Sequence, residues 1–234
     1  MNLRSLIPVV LACAGLSACV TVFPKAEPSA TYKLAIDALR SGQSDAGMKV
    51  SILRAPTTFP RMSSGDQIVT ISGAETASIA GARWAAPAPI MFDEQIIAAF
   101  DVSSKLRLLT RASASAPDAS LRVEVRTFEA RYSDAPIVAK SKAKTDAKAF
   151  DQRAAPTVVV EIKATMTYPA DSTRVAEKFL RAEVPASENR VASIVTAYDA
   201  ATSQVLNGLV TWAESLPPPP ARPSPVLAGP KPSP

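Results

Sequence analysis

Apolar and polar residues alternate along several stretches of the chain, a period typical of β-strands that are buried on one side. The longest alternation covers residues 158–167, and another begins at Leu121. The second alternation slips at Thr127 and Phe128, which predicts a β-bulge. Shorter alternations predict strands near residues 32–36, 50–54, 67–72, 76–80 and 175–184.

Two stretches have the 3.6-residue period of helices instead. Residues 90–102 follow Pro87 and Pro89, and their apolar side chains fall on one face. Residues 188–215 keep the helical period throughout, with Ser187 as the predicted N-cap. Together these elements predict an α+β fold: a mixed, largely antiparallel sheet with two main helices packed on one face.

Residues 137–148 lie between the two clearest strands, and we expect them to pair with both. Lys140, Lys142 and Lys144 would then point to one side of the sheet. Two interpretations stay open for these lysines. They could contact anionic lipid, or they could form a solvated face that discourages edge-to-edge aggregation.

The amino terminus has the layout of an exported protein. Arg4 precedes an apolar run over residues 6–16, which is shorter than the roughly 20 residues that a membrane-spanning helix needs. Residues 16–19 read Leu-Ser-Ala-Cys and resemble a bacterial lipobox. The resemblance implies cleavage after residue 18 and attachment of acyl chains such as palmitate to Cys19. The alternative is an ordinary signal peptide with a chance cysteine.

The lipobox divides the chain into four parts. Residues 1–18 would be the lipoprotein signal peptide, 19–31 a lipidated tether and 32–216 one folded domain. Residues 217–234 are rich in proline and predict an extended, disordered tail. The tail could be a ligand for a partner, a spacer into the cell wall or a solvated end. Val20, rather than Asp, follows Cys19 and favours the outer membrane by resemblance to enterobacterial sorting rules.

The composition excludes several kinds of chemistry. The chain has no histidine, which rules out Ser-His-Asp and Cys-His nucleophiles and histidine metal sites. It has two cysteines, Cys13 and Cys19, and cleavage would leave only the lipidated one. A net charge of +5 does not by itself indicate nucleic acid. No phosphate loop or nucleophile elbow occurs. We therefore expect no enzyme, no metal and no cofactor other than the covalent lipid.

Three further groups of residues are candidate sites. Asp93 and Glu94 are adjacent carboxylates, which we attribute to charge at a helix start rather than acid–base work. Trp84 could stack on a ligand or pack in the core. Lys105, Arg107 and Arg111 could bind a lipid headgroup or lie on a surface strand.

Residues 81–87 read Gly-Ala-Arg-Trp-Ala-Ala-Pro before a predicted helix. They resemble the Trp-Ala-x-Pro motif of ABC-type transport auxiliary lipoproteins, which include the third component of paraquat-inducible-type systems. The lipobox, the Tyr32-x-Leu34 strand, the Leu-x-Val-x-Val strand at Leu121 and the closing helix follow the family's order.

The resemblance implies a non-enzymatic, periplasmic outer-membrane lipoprotein. It would serve an ABC permease and an MCE-domain protein that move lipid across the envelope, with a fold like the amino-terminal domain of the Tol-system propeller protein. Its partners would be the membrane and that transport system, with no nucleic acid, and a homo-oligomer stays open. The alternative is a structural or assembly lipoprotein that binds peptidoglycan or outer-membrane proteins.

Overall fold

The computed structural model describes residues 29–35, 49–109, 116–133 and 154–219. In these ranges a mixed sheet combines with two helices, which confirms the predicted α+β class. The elements in chain order are β1 (Ala30–Tyr32), β2 (Val50–Arg54), β3 (Gln67–Ser72), β4 (Glu75–Trp84), α1 (Ala88–Asp101), β5 (Leu106–Leu109), β6 (Ala119–Tyr132), β7 (Thr157–Tyr168), β8 (Asp171–Pro185) and α2 (Val191–Ser215).

The sheet is organised around β6. One edge of β6 pairs along its length with β7, and β7 pairs in turn with β8, both antiparallel. Two parallel strands share the other edge of β6: β2 pairs with its beginning and β3 with its end. Beyond them, β5 pairs with β2 on one side. On the other side β4 pairs with β3, and β1 pairs with β4. The long pairings are therefore antiparallel, while several short ones are parallel.

The predicted bulge in β6 is present. The register of β6 against β7 shifts between Val125 and Thr127. Because side chains alternate along a strand, one extra residue exchanges the two faces beyond that point. Val125 and Phe128 are consequently both buried, although they are three positions apart.

Both helices pack on the same face of the sheet. The ring of Phe128 lies 6.1 Å from the ring of Phe92 on α1 and 4.8 Å from the ring of Tyr198 on α2, measured between centroids. All three side chains are at most 2% exposed. An aromatic cluster between the sheet and the two helices thus forms the centre of the core.

The long helix begins later than predicted. It starts at Val191 rather than at residue 188, and its N-cap is Arg190 rather than Ser187. The preceding loop is held to the ends of β6 and β7, because Ala186 N–H donates to Pro156 O at 2.9 Å and Tyr132 Oη donates to Asn189 Oδ1 at 2.7 Å. These tertiary bonds keep the loop out of the helix.

Two predictions about strands need correction. β1 covers Ala30–Tyr32, so Leu34 lies beyond the strand, and the strand overlaps the end of the predicted tether. Residues 137–148 lie outside the described part of the chain, but they do not separate β6 from β7. These two strands pair directly, with Val123 opposite Ala164, and that pairing leaves no space for a strand between them.

Candidate functional site

The predicted lipid-attachment residue, Cys19, lies outside the described residues, as do Arg111 and the three lysines at 140, 142 and 144. The structure does describe residues 34–35, which follow the predicted tether and join it to the domain. Leu34 is buried, its carbonyl accepts a hydrogen bond from Gln95 Nε2 on α1 at 3.2 Å, and Ala35 N–H donates to Asp199 Oδ1 on α2 at 2.9 Å. Residues 34–35 are therefore fixed to both helices.

Trp84 is a core residue. It is 2% exposed, and its ring meets Tyr198 edge to face at a centroid distance of 5.1 Å. Burial of this indole leaves it no face for a ligand, so the packing interpretation holds and the stacking one does not.

Asp93 has a different role from the predicted one. α1 begins at Ala88 and has no acidic residue in its first turn, so Asp93 does not serve the helix start. Its carboxylate instead accepts hydrogen bonds from Arg54 Nη1, at 2.5 Å, and from Thr57 Oγ1. Glu94 is exposed. The two carboxylates are not an acid–base couple, and Asp93 joins α1 to the end of β2.

A partly open pocket of about 190 Å³ lies at the end of the sheet where α2 finishes. Its walls are mainly apolar, with Val50, Leu106, Met166 and Leu216 among them. Lys105, one of the predicted basic residues, also lines it, whereas Arg107 is exposed on β5. An engineered apolar cavity of about 150 Å³ binds benzene, so this pocket has room for an apolar group of similar size.

The first prolines after α2 form one wall of this pocket and are held by Arg174. Its guanidinium donates to Pro217 O at 2.8 Å and to Pro218 O at 3.0 Å. Proline carbonyls are free to accept because the ring removes only the backbone donor. Arg174 therefore fixes the direction in which the proline-rich segment leaves the domain.

Sequence reasoning missed Arg174 because it placed the start of the last strand at residue 175. The structure extends β8 back to Asp171, directly after the turn that follows Tyr168. Thr173 donates to Asp171 Oδ1 through its hydroxyl, at 2.7 Å, and through its backbone, and these bonds lower the pKa of the Asp171 carboxyl. An Asp-x-Thr sequence beside a turn is the signal that could have located this hairpin.

The face of β6, β7 and β8 that points away from the helices, here called the outer face, is charged and solvated. Lys163 Nζ lies 2.7 Å from Glu177 Oε1, and Arg181 lies within 2.8 Å of both Glu161 and Glu183. The hydrogen bond from Lys163 lowers the pKa of Glu177, and the bonds to Glu161 and Glu183 raise the pKa of Arg181. Such a ladder keeps most of this face polar.

Within the described ranges, no three side chains of metal-binding type come together. In that same part of the chain, neither helix is long and apolar enough to cross a membrane.

Residues 32–142 match the family model described as the ABC-type transport auxiliary lipoprotein component. The resemblance to this family that the sequence predicts is confirmed over residues 32–142. The matched region runs from the last residue of β1 through β6 and includes Trp84 and the start of α1, the segment that carries the resemblance. This auxiliary-component family implies association with an ABC-type transport system and a membrane-anchored place in the cell envelope.

Solved structures of similar fold extend beyond the matched region. A Xanthomonas campestris protein of family DUF330 is 24% identical, with a TM-score of 0.58 over 71% of this chain and 84% of that one. An uncharacterized protein is 13% identical, with a TM-score of 0.59 over 80% of this chain and 99% of that one. At these identities the likeness shows the fold alone. Among curated proteins, none matches the sequence significantly.

Proposed function

We propose that this protein is the lipid-anchored, non-enzymatic auxiliary component of an MCE-type ABC system that moves lipids across the cell envelope. The observation that carries the proposal is the match of residues 32–142 to the auxiliary lipoprotein family. The mixed sheet backed by two helices supports it, and we extend the proposal to a fold like the amino-terminal domain of the Tol-system propeller protein.

In this proposal the anchor is a set of acyl chains, palmitate among them, attached to Cys19. The chains insert into the outer membrane from its periplasmic face. Each buried methylene contributes about 0.8 kcal/mol to membrane binding, so two or three chains hold a protein stably. Residues 20–29 between Cys19 and β1 span at most roughly 35 Å, which keeps the domain close to its membrane. The covalent lipid is then the protein's single non-protein group.

The anchor is tested by fractionation of the Cys19→Ala variant. We expect the variant to be unprocessed or soluble yet folded, because the core lies in the domain that begins at β1. A matched control is Cys13→Ala, since that residue lies within the predicted leader and should leave anchoring unchanged. A Cys19→Ala variant that is still extracted only by detergent after processing would contradict the assignment of the lipid to this residue.

The partner is tested by crosslinking and pull-down from the native envelope, with the full chain beside a variant that lacks residues 220–234. That deletion keeps Pro217 and Pro218, whose carbonyls bind Arg174. We expect both forms to recover an MCE-domain protein, which would place the contact on the folded domain. Recovery of peptidoglycan or an outer-membrane assembly factor in its place would refute the transport role and favour a structural lipoprotein.

A further inference from the structure

β8 is a long strand at the edge of the sheet. It has 15 residues, and one of its edges pairs with β7 from Asp171 to Pro185. Among the described strands, none pairs with its other edge. A row of unpaired backbone groups of this length is a template for pairing with another strand, and proteins generally shorten or cover such edges.

The side chains of β8 on the outer face include two exposed apolar residues. Phe179 is 55% exposed and Val175 is 51% exposed. Phe179 lies beneath the guanidinium of Arg126, 5.1 Å from the ring centroid, and Lys163 Nζ is 5.7 Å from the same centroid. These two cations, on β6 and β7, cover one side of the ring. Toward the free edge of β8, no described strand lies beside the ring.

The sequence around Phe179 is complementary to itself when it is read in the opposite direction. Glu177 and Arg181 stand two residues before and two residues after the aromatic ring, on the same face. In an antiparallel pair, residues directly opposite each other point to the same face, with Cβ atoms about 4.5–5.5 Å apart. A second β8 placed about a two-fold axis at Phe179 therefore sets the two rings together and each Glu177 opposite an Arg181.

We propose that β8 pairs antiparallel with β8 of a second copy of this chain, with the two-fold axis at Phe179. The sheets of the two copies then form one continuous sheet. Glu177 keeps its bond to Lys163 and adds Arg181 of the partner subunit, since a carboxylate can accept several hydrogen bonds. The row of ion pairs on the outer face then continues from one copy into the other.

The charges select this register over its neighbours. An axis at residue 178 places Lys178 opposite Lys178 of the partner subunit. An axis at residue 180 places Glu177 opposite Glu183 of the partner subunit. Moving the axis by two residues sets Glu177 or Arg181 against its own copy. Like charges directly opposite each other destabilise a strand pair. The axis at Phe179 avoids all of these contacts.

The opposite face of the strand permits the same arrangement. With the axis at Phe179, Ala176 lies opposite Ala182 of the partner subunit, and Lys178 lies opposite Leu180 of the partner subunit. Two small side chains let the strands approach, and the long stem of a lysine can lie along a leucine while its ammonium reaches water. Pairing thus introduces no opposed like charges on either face.

Single cysteines test the register directly, since Cys13 and Cys19 are the only natural ones. In the full chain, in native envelopes, we expect the Phe179→Cys variant to give a covalent dimer under mild oxidation or with a short bismaleimide. Val175→Cys is the matched control, because residue 175 then lies opposite residue 183, and the two copies of residue 175 are about 27 Å apart. Val175 and Phe179 are similarly exposed, so a difference in crosslinking yield reports the distance between the two copies rather than reagent access. We therefore expect no dimer from Val175→Cys.

A mixture of Val175→Cys and Glu183→Cys chains carrying different tags completes the test. Only the mixed dimer should form, because these positions face each other in an antiparallel pair centred on Phe179. The proposal is overturned if folded Phe179→Cys protein stays monomeric with both reagents, if it crosslinks to a different protein, or if Val175→Cys alone dimerises equally well. The unmodified chain shows whether Cys13 or Cys19 contributes to any product.

The charge pair gives a second, independent measurement. Glu177→Arg or Arg181→Glu alone should weaken crosslinking at residue 179, because each sets like charges opposite each other. The double variant Glu177→Arg with Arg181→Glu should crosslink better than either single variant, since the charges that face each other across the axis are again complementary. The like-charge contacts with Lys163 and Glu161 inside each copy are already present in the single variants. Equal yields for all three variants would show that these charges do not face each other.

Discussion

The guanidinium of Arg174 stacks on the ring of Tyr168, with Cζ 4.3 Å from the ring centroid. This contact orients the fork that holds the carbonyls of Pro217 and Pro218. A cation stacked on an aromatic ring loses less freedom when it forms hydrogen bonds, because its plane is already set. One residue at the start of β8 thus connects the sheet to the segment that follows α2.

Removal of this contact should loosen the proline segment without unfolding the domain. For Arg174→Ala we expect a loss of about 1 kcal/mol in the free energy of unfolding, because exposed hydrogen bonds contribute modestly. Hydrogen exchange at residues 212–216 should become faster. Arg174→Lys is the matched control, since it keeps the charge but lacks the planar fork. Unchanged exchange in Arg174→Ala would show that the two carbonyl bonds do not restrain this end.

The pair formed by Arg54 and Asp93 should stabilise the attachment of α1 measurably. The side chains are 17% and 25% exposed, so water screens their attraction less than at the open surface. A double-mutant cycle with Arg54→Ala and Asp93→Ala should give a coupling of about 1 kcal/mol. The Arg83–Asp66 pair, 52% and 44% exposed, is the control and should give less than about 0.5 kcal/mol. Equal couplings for both pairs would contradict this interpretation.

Tyr198 should make stability depend on alkaline pH. Burial raises the pKa of its hydroxyl well above the ordinary value of 10.0, with a smaller contribution from the charge of Glu129. Because the folded state keeps the proton, the stabilisation is complete below about pH 10 and is lost as the pH rises toward the folded pKa. The Tyr198→Phe variant lacks this dependence.

Urea unfolding at about pH 8 and about pH 11 measures the effect. At the lower pH, Tyr198→Phe should be less stable by about 1 kcal/mol, because Tyr198 Oη donates to Val69 O. At the higher pH, that difference should shrink or change sign. A difference that stays constant across the range would mean that Tyr198 ionises equally well in both states.

Leu209 lies on the buried side of α2 and is 0% exposed. Leu209→Asp should therefore cost roughly 4 kcal/mol or more, since it removes apolar contacts and buries an unpaired charge. We expect loss of the cooperative thermal transition. Gln204→Asp, on the exposed side of the same helix, should change stability by less than about 0.5 kcal/mol. A drop of only a degree or two in the Tm for Leu209→Asp would show that α2 is not packed on the sheet.

The hydroxyl of Thr202 is buried in α2 and has no hydrogen-bond partner among the described residues. Thr202→Val keeps the shape and removes the unsatisfied polar atom, so it should raise the free energy of unfolding by about 1 kcal/mol. Thr196→Val is the control, because the Thr196 hydroxyl is exposed and donates to Ala192 O at 3.0 Å. A destabilised Thr202→Val variant would indicate that the hydroxyl finds a partner outside the described part of the chain.

The sequence by itself determined the elements whose period is local. Residues 67–72 became β3 with the same bounds, and the slip near Thr127 became the bulge of β6. Alternation along a strand and the 3.6-residue period of a helix each follow from which side chains face one core, so they are visible without knowing the partners. The sequence also led to the family, because its motifs follow one another along the chain.

Only the tertiary structure decided the features that depend on residues distant in sequence. Residues 188–190 could continue a helix, but bonds from β6 and from residue 156 hold the preceding loop elsewhere. Asp93 suited a helix start by its spacing, yet Arg54, on a strand 39 positions earlier, decided its role. Arg174 holds the carbonyls of Pro217 and Pro218, 43 and 44 positions later, only because the fold brings the end of α2 beside the start of β8. In each case the deciding free energy comes from a contact across the fold, which no local period contains.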